Sequence, residues 1–261
     1  MDLGLSGKAV LVTGGSGLLG SAIVRRLATE GAVPIIHYRS RVAAAHALAD
    51  DTGGFALQAS LLVESEVDAL IERAVESAGP LTGVVANAGG WPGPPVQTRN
   101  LTLERWRTTL DQNLTVAFLT ARAYLKHVRE VGHGSLVFVG SAAAHFGEDG
   151  YADYAAAKSA VTHGLVRTLA REIVESAPHG RVNAVSPTWV PPSAHAEAAA
   201  EQRLKRALAT VPLGRPATSR DVASVVAWLL SDAVAGYVTG EVIQVTGGMS
   251  GKILPRPSGE G

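Results

Sequence analysis

The fold is indicated by residues 9–20, Ala9-Val10-Leu11-Val12-Thr13-Gly14-Gly15-Ser16-Gly17-Leu18-Leu19-Gly20, an apolar run that leads through a glycine-rich turn into a helical pattern. Gly15, Gly17 and Gly20 have the G-x-G-x-x-G spacing, and the strand–turn–helix setting is the context that this motif requires. Glycines permit a tight turn and close backbone approach, so a pyrophosphate can sit at the helix N-terminus. The alternative is a glycine-rich turn that holds no ligand.

Short apolar runs alternate with helix-like patterns along the rest of the chain. Strands that are apolar throughout and separated by helices predict a parallel sheet covered on both faces. The predicted strands are 9–12, 33–38, 55–58, 83–86, 136–139, 181–185 and 241–245. The predicted helices are 18–30, 42–50, 64–78, 102–131, 153–176 and 220–230. We expect one doubly wound α/β domain over residues 1–261, with a flexible tail from Gly251.

Composition narrows the function classes. A chain of 261 residues with 46% hydrophobic content can bury the core of one such domain. Its net charge is zero, so no global field would gather nucleic acid or an anionic membrane surface. Cysteine is absent, which excludes disulfides, thiolate metal sites and cysteine nucleophiles. With no leader pattern and no long apolar span, a soluble cytoplasmic protein is expected.

The residues that end the second strand indicate which dinucleotide would bind. A protein that binds NAD usually places an acidic residue here to accept the ribose 2′-hydroxyl, yet none occurs between Glu30 and Asp50. Arg39, with Ser40 beside it, could instead grip a 2′-phosphate through a charge-assisted contact. The alternative is a solvated arginine at the start of a surface helix. The sequence therefore predicts NADPH as the cofactor.

A second chemical signal is the pair Tyr154 and Lys158, four residues and one helical turn apart. On one helix face, the ammonium would favour tyrosinate and so lower a tyrosine pKa of about 10 towards neutrality. Ser141 follows an apolar strand thirteen residues earlier and can hold a carbonyl oxygen beside the phenol. Tyr151 has Ala155 four residues later, so we interpret it as a wall of the pocket.

These segments together resemble the short-chain dehydrogenase/reductase family over nearly the whole chain. The family's glycine-rich turn, Asn-Ala-Gly segment, catalytic Asn, Ser and Tyr-x-x-x-Lys occur here in the same order. They are residues 13–20, Asn87-Ala88-Gly89, Asn113, Ser141, and Tyr154 with Lys158. The resemblance implies a Rossmann fold with a central parallel sheet of about seven strands flanked by helices. It also implies a homo-oligomer, usually a tetramer and in some members a dimer.

The roles that the resemblance implies are specific. Tyr154 would donate a proton to the substrate oxygen, and Lys158 would bind the nicotinamide ribose and lower the tyrosine pKa. Ser141 would orient the carbonyl, and Asn113 would anchor a water, although Asn113 could instead satisfy helix backbone. The implied cofactor contacts are Gly14, Gly15, Ser16, Gly17, Leu18, Tyr38, Arg39, Ser40, Ser60, Leu61, Asn87, Ala88, Gly89, Tyr154, Lys158, Pro187, Thr188 and Val190.

Several positions depart from the family pattern, among them Ala86 and the segment Pro191-Pro192-Ser193. Leu18 stands where a glycine is usual, Ser60 where many relatives have an Asp, and Thr188 where a glycine usually follows the proline. These changes bear on how the cofactor is held and leave the reaction class unaltered.

Loops after the strands offer large apolar faces and few fixed charges, which suits a bulky, uncharged, polycyclic carbonyl compound. The predicted substrate contacts are Trp91, Ala143, Phe146, Tyr151, Trp189 and Pro192. Trp91 and Trp189 could equally pack in the core or between subunits. Residues 190–212 are predicted to form a mobile lid, with an amphipathic helix over 195–209. The chain is similar to bacterial ketoreductases that tailor aromatic polyketides, including those of the angucycline type.

The leading hypothesis is an NADPH-dependent ketoreductase that acts on a hydrophobic ketone. A second is a reductase of the same family that acts on a carrier-bound β-ketoacyl group, a steroid-like substrate or a sugar alcohol. A third, from another class, is a catalytically idle dinucleotide sensor, although a sensor need not keep Ser141, Tyr154, Lys158 and Asn113 together. No metal site is expected, because the histidines have no ligand spacing.

Overall fold

A computed structural model describes residues 2–191 and 208–249. Within these ranges seven parallel strands form one sheet, in the order β3-β2-β1-β4-β5-β6-β7. The strands are β1 Ala9–Val12, β2 Val33–Tyr38, β3 Phe55–Gln58, β4 Leu81–Ala86, β5 Ser135–Val139, β6 Arg181–Pro187 and β7 Val242–Val245. The predicted Rossmann fold class is confirmed. Strand order reverses between β1 and β4, and in such sheets ligands bind in the crevice beyond the carboxyl ends at this point.

Helices cover both faces of the sheet. They are α1 Leu18–Thr29, α2 Val42–Thr52, α3 Glu64–Ala78, α4 Leu103–Leu110, α5 Val116–Val131, α6 Ala143–Phe146, α7 Ala152–Ser159, α8 Val166–Glu172, α9 Ser219–Leu230 and α10 Asp232–Ala235. Short 3₁₀ turns lie at Thr98–Asn100 and Ile173–Glu175.

Two helices that were predicted to be continuous, 102–131 and 153–176, are each interrupted. A π-helical turn at Asp111–Thr115 separates α4 from α5, and another at Ala160–Leu165 separates α7 from α8. Hydrophobic periodicity does not reveal a single widened turn, because the apolar face continues on either side of it. Such turns occur frequently at functional sites.

The core has two layers because the strands are apolar on both sides. Along β1, Val10 and Val12 belong to the layer that includes helices α1, α2 and α9, whereas Leu11 belongs to the layer of α3, α5 and α8. All three side chains are almost fully buried. The sheet is therefore a rigid platform that fixes the loops at its carboxyl edge.

Several predictions fall on residues that are not described. The lid helix over 195–209 lies almost wholly outside the described ranges, as do Pro192 and the tail from Gly251. Within residues 2–191 and 208–249, no helix is both long and apolar enough to cross a membrane.

Candidate active site

The glycine-rich turn has the shape that a pyrophosphate requires. Gly14 adopts a φ of +62°, which favours glycine, and a Cβ on Gly20 would overlap the carbonyl oxygen of Gly14. Helix α1 begins at Leu18 with no side chain capping its first N–H groups. Ser16, Gly17 and Leu18 line the cleft at this helix end. The turn therefore fits an anionic diphosphate, with Leu18 forming part of the wall.

The ends of β1 and β4 are joined across the point where the strand order reverses. Thr13 Oγ1 accepts hydrogen bonds from the N–H groups of Asn87 (3.0 Å) and Ala88 (3.1 Å). The Asn87 side-chain amide donates to the carbonyl oxygens of Thr13 (2.8 Å) and Gly14 (3.2 Å). This reciprocal bonding fixes the floor of the cleft, which the segment 87–89 lines.

His37 also holds this turn, and sequence reasoning missed it. Its Nδ1 accepts a hydrogen bond from the Gly14 N–H (3.0 Å), and its backbone carbonyl accepts one from Gly15 (2.8 Å). Its Nε2 donates to the Ala59 carbonyl (3.1 Å), which requires a neutral ring. Burial lowers the pKa of His37 to about 4, in agreement with that requirement. The available signal was a polar side chain inside an otherwise apolar strand.

The lowered pKa predicts acid sensitivity. Unfolded His37 binds a proton near pH 6.5 but folded His37 does not until about pH 4. Above pH 6.5 the ring is neutral in both the folded and the unfolded state, so it does not reduce the stability of the fold. As pH falls from 6.5 to 4, only the unfolded state takes up the proton, and the folded state loses stability. We expect this residue alone to lower the free energy of unfolding by about 3 kcal/mol across that range. Urea unfolding of wild type and His37→Gln at pH 7.5, 6 and 5 measures the difference. If the free energy of unfolding fell equally with pH in wild type and in His37→Gln, the prediction would be refuted.

The end of β2 supplies the next part of the cleft. Tyr38, Arg39 and Ser40 line it, together with Ser60 and Leu61 after β3. Arg39 is exposed, and its carbonyl accepts a hydrogen bond from the Gln58 side chain (2.9 Å). The carboxylates among the described lining residues are Glu148 and Asp149, which lie in the loop before α7.

The four predicted catalytic residues lie on one cleft of about 1260 Å³. Ser141 follows β5, Tyr154 and Lys158 lie on α7, and Asn113 lies in the π-helical turn after α4. Lys158 is almost fully buried, and its Nζ donates a hydrogen bond to the Val139 carbonyl (2.9 Å). That nitrogen lies 5.8 Å from the centre of the Tyr154 ring.

The acid–base properties differ from the prediction made from spacing. Burial raises the pKa of Tyr154, a hydrogen bond with Ser141 opposes this, and the charge of Glu148 adds to it. Burial also lowers the pKa of Lys158 to about 8. The expected fall in the tyrosine pKa is therefore wrong for this structure, because desolvation of the phenol outweighs its neighbours. A protonated phenol near pH 7 is a proton donor, as reduction of a carbonyl requires.

Asn113 is buried and bonds to backbone. Its side-chain amide donates to the carbonyl oxygens of Gly90 (3.0 Å) and Thr109 (3.1 Å), and its Oδ1 accepts from the Gly90 N–H (3.2 Å). A Cβ on Gly89 would lie 2.8 Å from this Oδ1, so the site requires glycine there. These contacts match the alternative interpretation of Asn113, in which it satisfies backbone groups.

Aromatic rings form the substrate side of the cleft. Trp91 packs against Tyr151, with ring centres 4.2 Å apart, and against Tyr154 at 4.8 Å. Ala143 and Trp189 also line the cleft. Phe146 is absent from the described lining; at the end of the four-residue α6 its ring packs beside His145 and is 36% exposed.

The remaining predicted residues are placed as follows. The cleft is lined at the end of β6 by Pro187, Thr188 and Val190. Gly15 is not among the described lining residues; a Cβ there would meet the Ile36 side chain at 2.8 Å. Glu148 and Asp149 line the cleft as well. Among the residues that the structure describes, no three histidine, aspartate or glutamate side chains are grouped to bind a metal ion.

Comparison with known proteins identifies the family. A family model described as enoyl-(acyl carrier protein) reductase matches residues 16–250. An uncharacterised oxidoreductase of Escherichia coli is 35% identical over 250 residues, covering 91% of this chain and 98% of the relative. The 3-oxoacyl-[acyl-carrier-protein] reductase of the same organism is 31% identical over 253 residues, covering 95% and 99%. The 3beta-hydroxysteroid dehydrogenase 1 of Eggerthella lenta is 34% identical over 253 residues, covering 94% and 95%. The chain therefore belongs to the short-chain dehydrogenase/reductase family of oxidoreductases.

Proposed function

We propose that this protein is an NADPH-dependent ketoreductase that reduces a carbonyl of a bulky, hydrophobic, polycyclic substrate to an alcohol. The observation that carries the proposal is the placement of Tyr154, Ser141 and Lys158 on the same cleft as the glycine-rich turn. A catalytically idle sensor would need the turn alone. Retention of a buried lysine beside a buried phenol, each desolvated at a cost, favours an enzyme.

The chain's own residues divide the chemistry. Ser141 Oγ accepts a hydrogen bond from the Ala143 N–H (3.2 Å) and is also hydrogen-bonded with Tyr154, so its hydroxyl can donate to a substrate carbonyl that is placed beside the phenol. Tyr154 donates its proton to the same oxygen as negative charge develops there. Lys158 stabilises the tyrosinate that remains. The bound nicotinamide supplies the hydride.

Arg39 is the residue proposed to make the protein prefer NADPH over NADH, and its substitution tests that preference directly. In Arg39→Gln the charge-assisted contact to the 2′-phosphate is lost, which is worth about 1.5–3 kcal/mol. We therefore expect Kd for NADPH to rise about 10- to 150-fold. Kd for NADH should change less than about twofold, because NADH has no phosphate at that position; fluorescence titration measures both.

The reverse substitution sharpens this test. Arg39→Asp should improve NADH binding, because a carboxylate can accept the ribose 2′-hydroxyl. A wild-type preference for NADH, or equal losses for both cofactors in Arg39→Gln, would contradict the assignment of NADPH.

The aromatic wall supports a ring ketone as substrate. Trp91, with 44% of its surface exposed, offers a flat face directly beside the phenol of Tyr154. Planar rings stack well on such a face. Aromatic polyketide intermediates have this shape, so a role in polyketide antibiotic biosynthesis is part of the proposal. Steady-state reduction of bicyclic aromatic ketones, quinones and acyclic ketones by NADPH ranks the candidates.

The relatives support a second candidate. Their names include a reductase of 3-oxoacyl groups on acyl carrier protein and a 3beta-hydroxysteroid dehydrogenase. The same panel should therefore contain a β-ketoacyl thioester, a 3-ketosteroid and a sugar alcohol with NADP⁺. A kcat/KM for the thioester well above that for every ring ketone would favour the second candidate.

We further propose that residues 1–261 form a single domain, that the protein acts in the cytoplasm, and that it assembles as a homotetramer or homodimer. Family resemblance supports the assembly, and Phe118 on α5 leaves an aromatic side chain 46% exposed. Light scattering after size-exclusion chromatography measures the mass of the assembly. A monomer at micromolar concentration would refute the proposed oligomer.

A further inference from the structure

Asp153 precedes the catalytic tyrosine and has no role in the chemistry described so far. Its side chain is fully buried. Oδ1 accepts a hydrogen bond from the Tyr154 N–H (2.9 Å). Oδ2 accepts from the Thr109 hydroxyl (2.8 Å) and from Arg105 Nε (3.1 Å). One carboxylate therefore joins the first turn of α7 to helix α4.

The bonds continue beyond this pair to the other side of the cleft. The Thr109 carbonyl accepts from the Asn113 side chain (3.1 Å), and Asn113 in turn holds Gly90. Arg105 Nη1 donates to the Pro94 carbonyl (2.7 Å). The loop 90–95 is thus tied at both ends to groups that bond directly or indirectly to Asp153. Trp91 lies between those two ties and contacts the Tyr154 ring.

The charges in this network favour its persistence at neutral pH. Burial acts to raise the pKa of Asp153, but hydrogen bonds from Thr109, Arg105 and the Tyr154 N–H outweigh it and hold the pKa below its ordinary value. The carboxylate is therefore ionised at neutral pH, opposite a guanidinium that is 19% exposed. The carboxylate is fully buried, so water does not compete for this charge-assisted bond.

We propose that Asp153 is a positioning residue for ketone reduction: paired with Arg105, it fixes the phenol of Tyr154 against the Trp91 loop and so determines which ketones reach the proton donor. This inference rests on the proposed function. It assigns the selection of bulky ring ketones to the contact between Asp153 and Arg105, neither of which takes part in the reaction. Neither Asp153 nor Arg105 is among the described residues that line the cleft of the glycine-rich turn, so cofactor affinity should not depend on the pair.

Arg105→Gln tests the proposal because it removes the tie to Pro94 and the charge on Asp153's partner together. We expect kcat/KM for a bicyclic aromatic ketone to fall at least about tenfold, since its rings would rest on the Trp91 loop, which loses its tie at Pro94, and small misplacements of a bound substrate are costly. For a small acyclic ketone the loss should be less than about threefold, and Kd for NADPH should stay within about twofold. Arg107→Gln is the matched control, because it makes the same change on an exposed site of the same helix.

Asp153→Asn and the double variant Asp153→Asn/Arg105→Gln complete the test. If the two residues act as one unit, the double variant should be no slower than the slower single variant. Arg105→Lys, which keeps the charge, should recover part of the selectivity. If Asp153→Asn does not fold, Arg105→Gln and Arg105→Lys decide alone, with Arg107→Gln as their control.

The outcomes separate the two claims. Three results in folded Arg105→Gln would each overturn the positioning role: equal losses of kcat/KM for bulky and small ketones, a matching loss of NADPH affinity, or unchanged kinetics. The proposed function would still stand in each case, provided that the wild-type protein is active. A wild-type protein inactive towards every ketone would overturn the proposed function and this inference with it.

Discussion

Replacing Tyr154 with phenylalanine should lower kcat for ketone reduction by about 10²–10⁴, the usual contribution of a positioned general acid. The change removes one oxygen and keeps the ring that packs against Trp91, so the cleft should retain its shape. Kd for NADPH should therefore stay within about twofold, since the glycine-rich turn and Arg39 are untouched. Steady-state kinetics and fluorescence titration on the same preparation separate the two effects.

Tyr237→Phe is the matched control, because Tyr237 is fully exposed and lies far along the chain from α7. It should leave both constants unchanged. If Tyr154→Phe kept more than a tenth of the wild-type kcat, the proton would have to come from another group, and the assignment of the general acid would fail.

Replacing Lys158 with methionine should lower kcat/KM by about 10²–10³, in the range for loss of one preorganised electrostatic contact. The ammonium is buried, held on the Val139 carbonyl and close to the Tyr154 ring. Methionine fills similar space without charge, so the tyrosinate formed on proton transfer loses its partner. The effect should fall on reduction of every ketone alike, unlike that of Arg105→Gln.

The pH dependence gives a second readout for Lys158. Its pKa of about 8 is lower than that of an ordinary lysine, so the ammonium is present below pH 8 and lost above it. Wild-type kcat/KM, which reports pKa values of the free enzyme, should therefore decline above pH 8. That decline should be absent in Lys158→Met and present in the surface control Lys126→Met. A flat wild-type profile to pH 10 would contradict the role.

Much of the fold could be predicted because the strands are short apolar runs bounded by glycines and polar turns. Residues 9–12, 33–38 and 55–58 match the observed strands to the residue. The two π-helical turns could not be predicted, since an extra residue in one turn leaves the surrounding periodicity intact. One of them carries Asn113, which bonds to Gly90 and Thr109.

That Ser141, Tyr154 and Lys158 would lie together could be predicted, and the residues that hold them could not. Ser141, Tyr154 and Lys158 have a recognisable spacing, whereas His37 and Asp153 act through contacts 22 to 48 residues away in sequence. Burial is equally invisible in a spacing, and it is burial that raises the pKa of Tyr154 rather than lowering it. Phe146, which was predicted to contact the substrate, ends the short helix α6 and is not among the described lining residues of the cleft.

Direct transfer of hydride to a ring ketone is the claim on which the account depends, and one measurement tests it. The protein is incubated with a bicyclic aromatic ketone and NADPH that carries deuterium at both C4 positions, and the product is examined by mass spectrometry and NMR. We predict one deuterium on the carbinol carbon of each alcohol molecule formed, with one NADPH consumed per alcohol. Consumption of NADPH without alcohol, or alcohol without deuterium at that carbon, would contradict it.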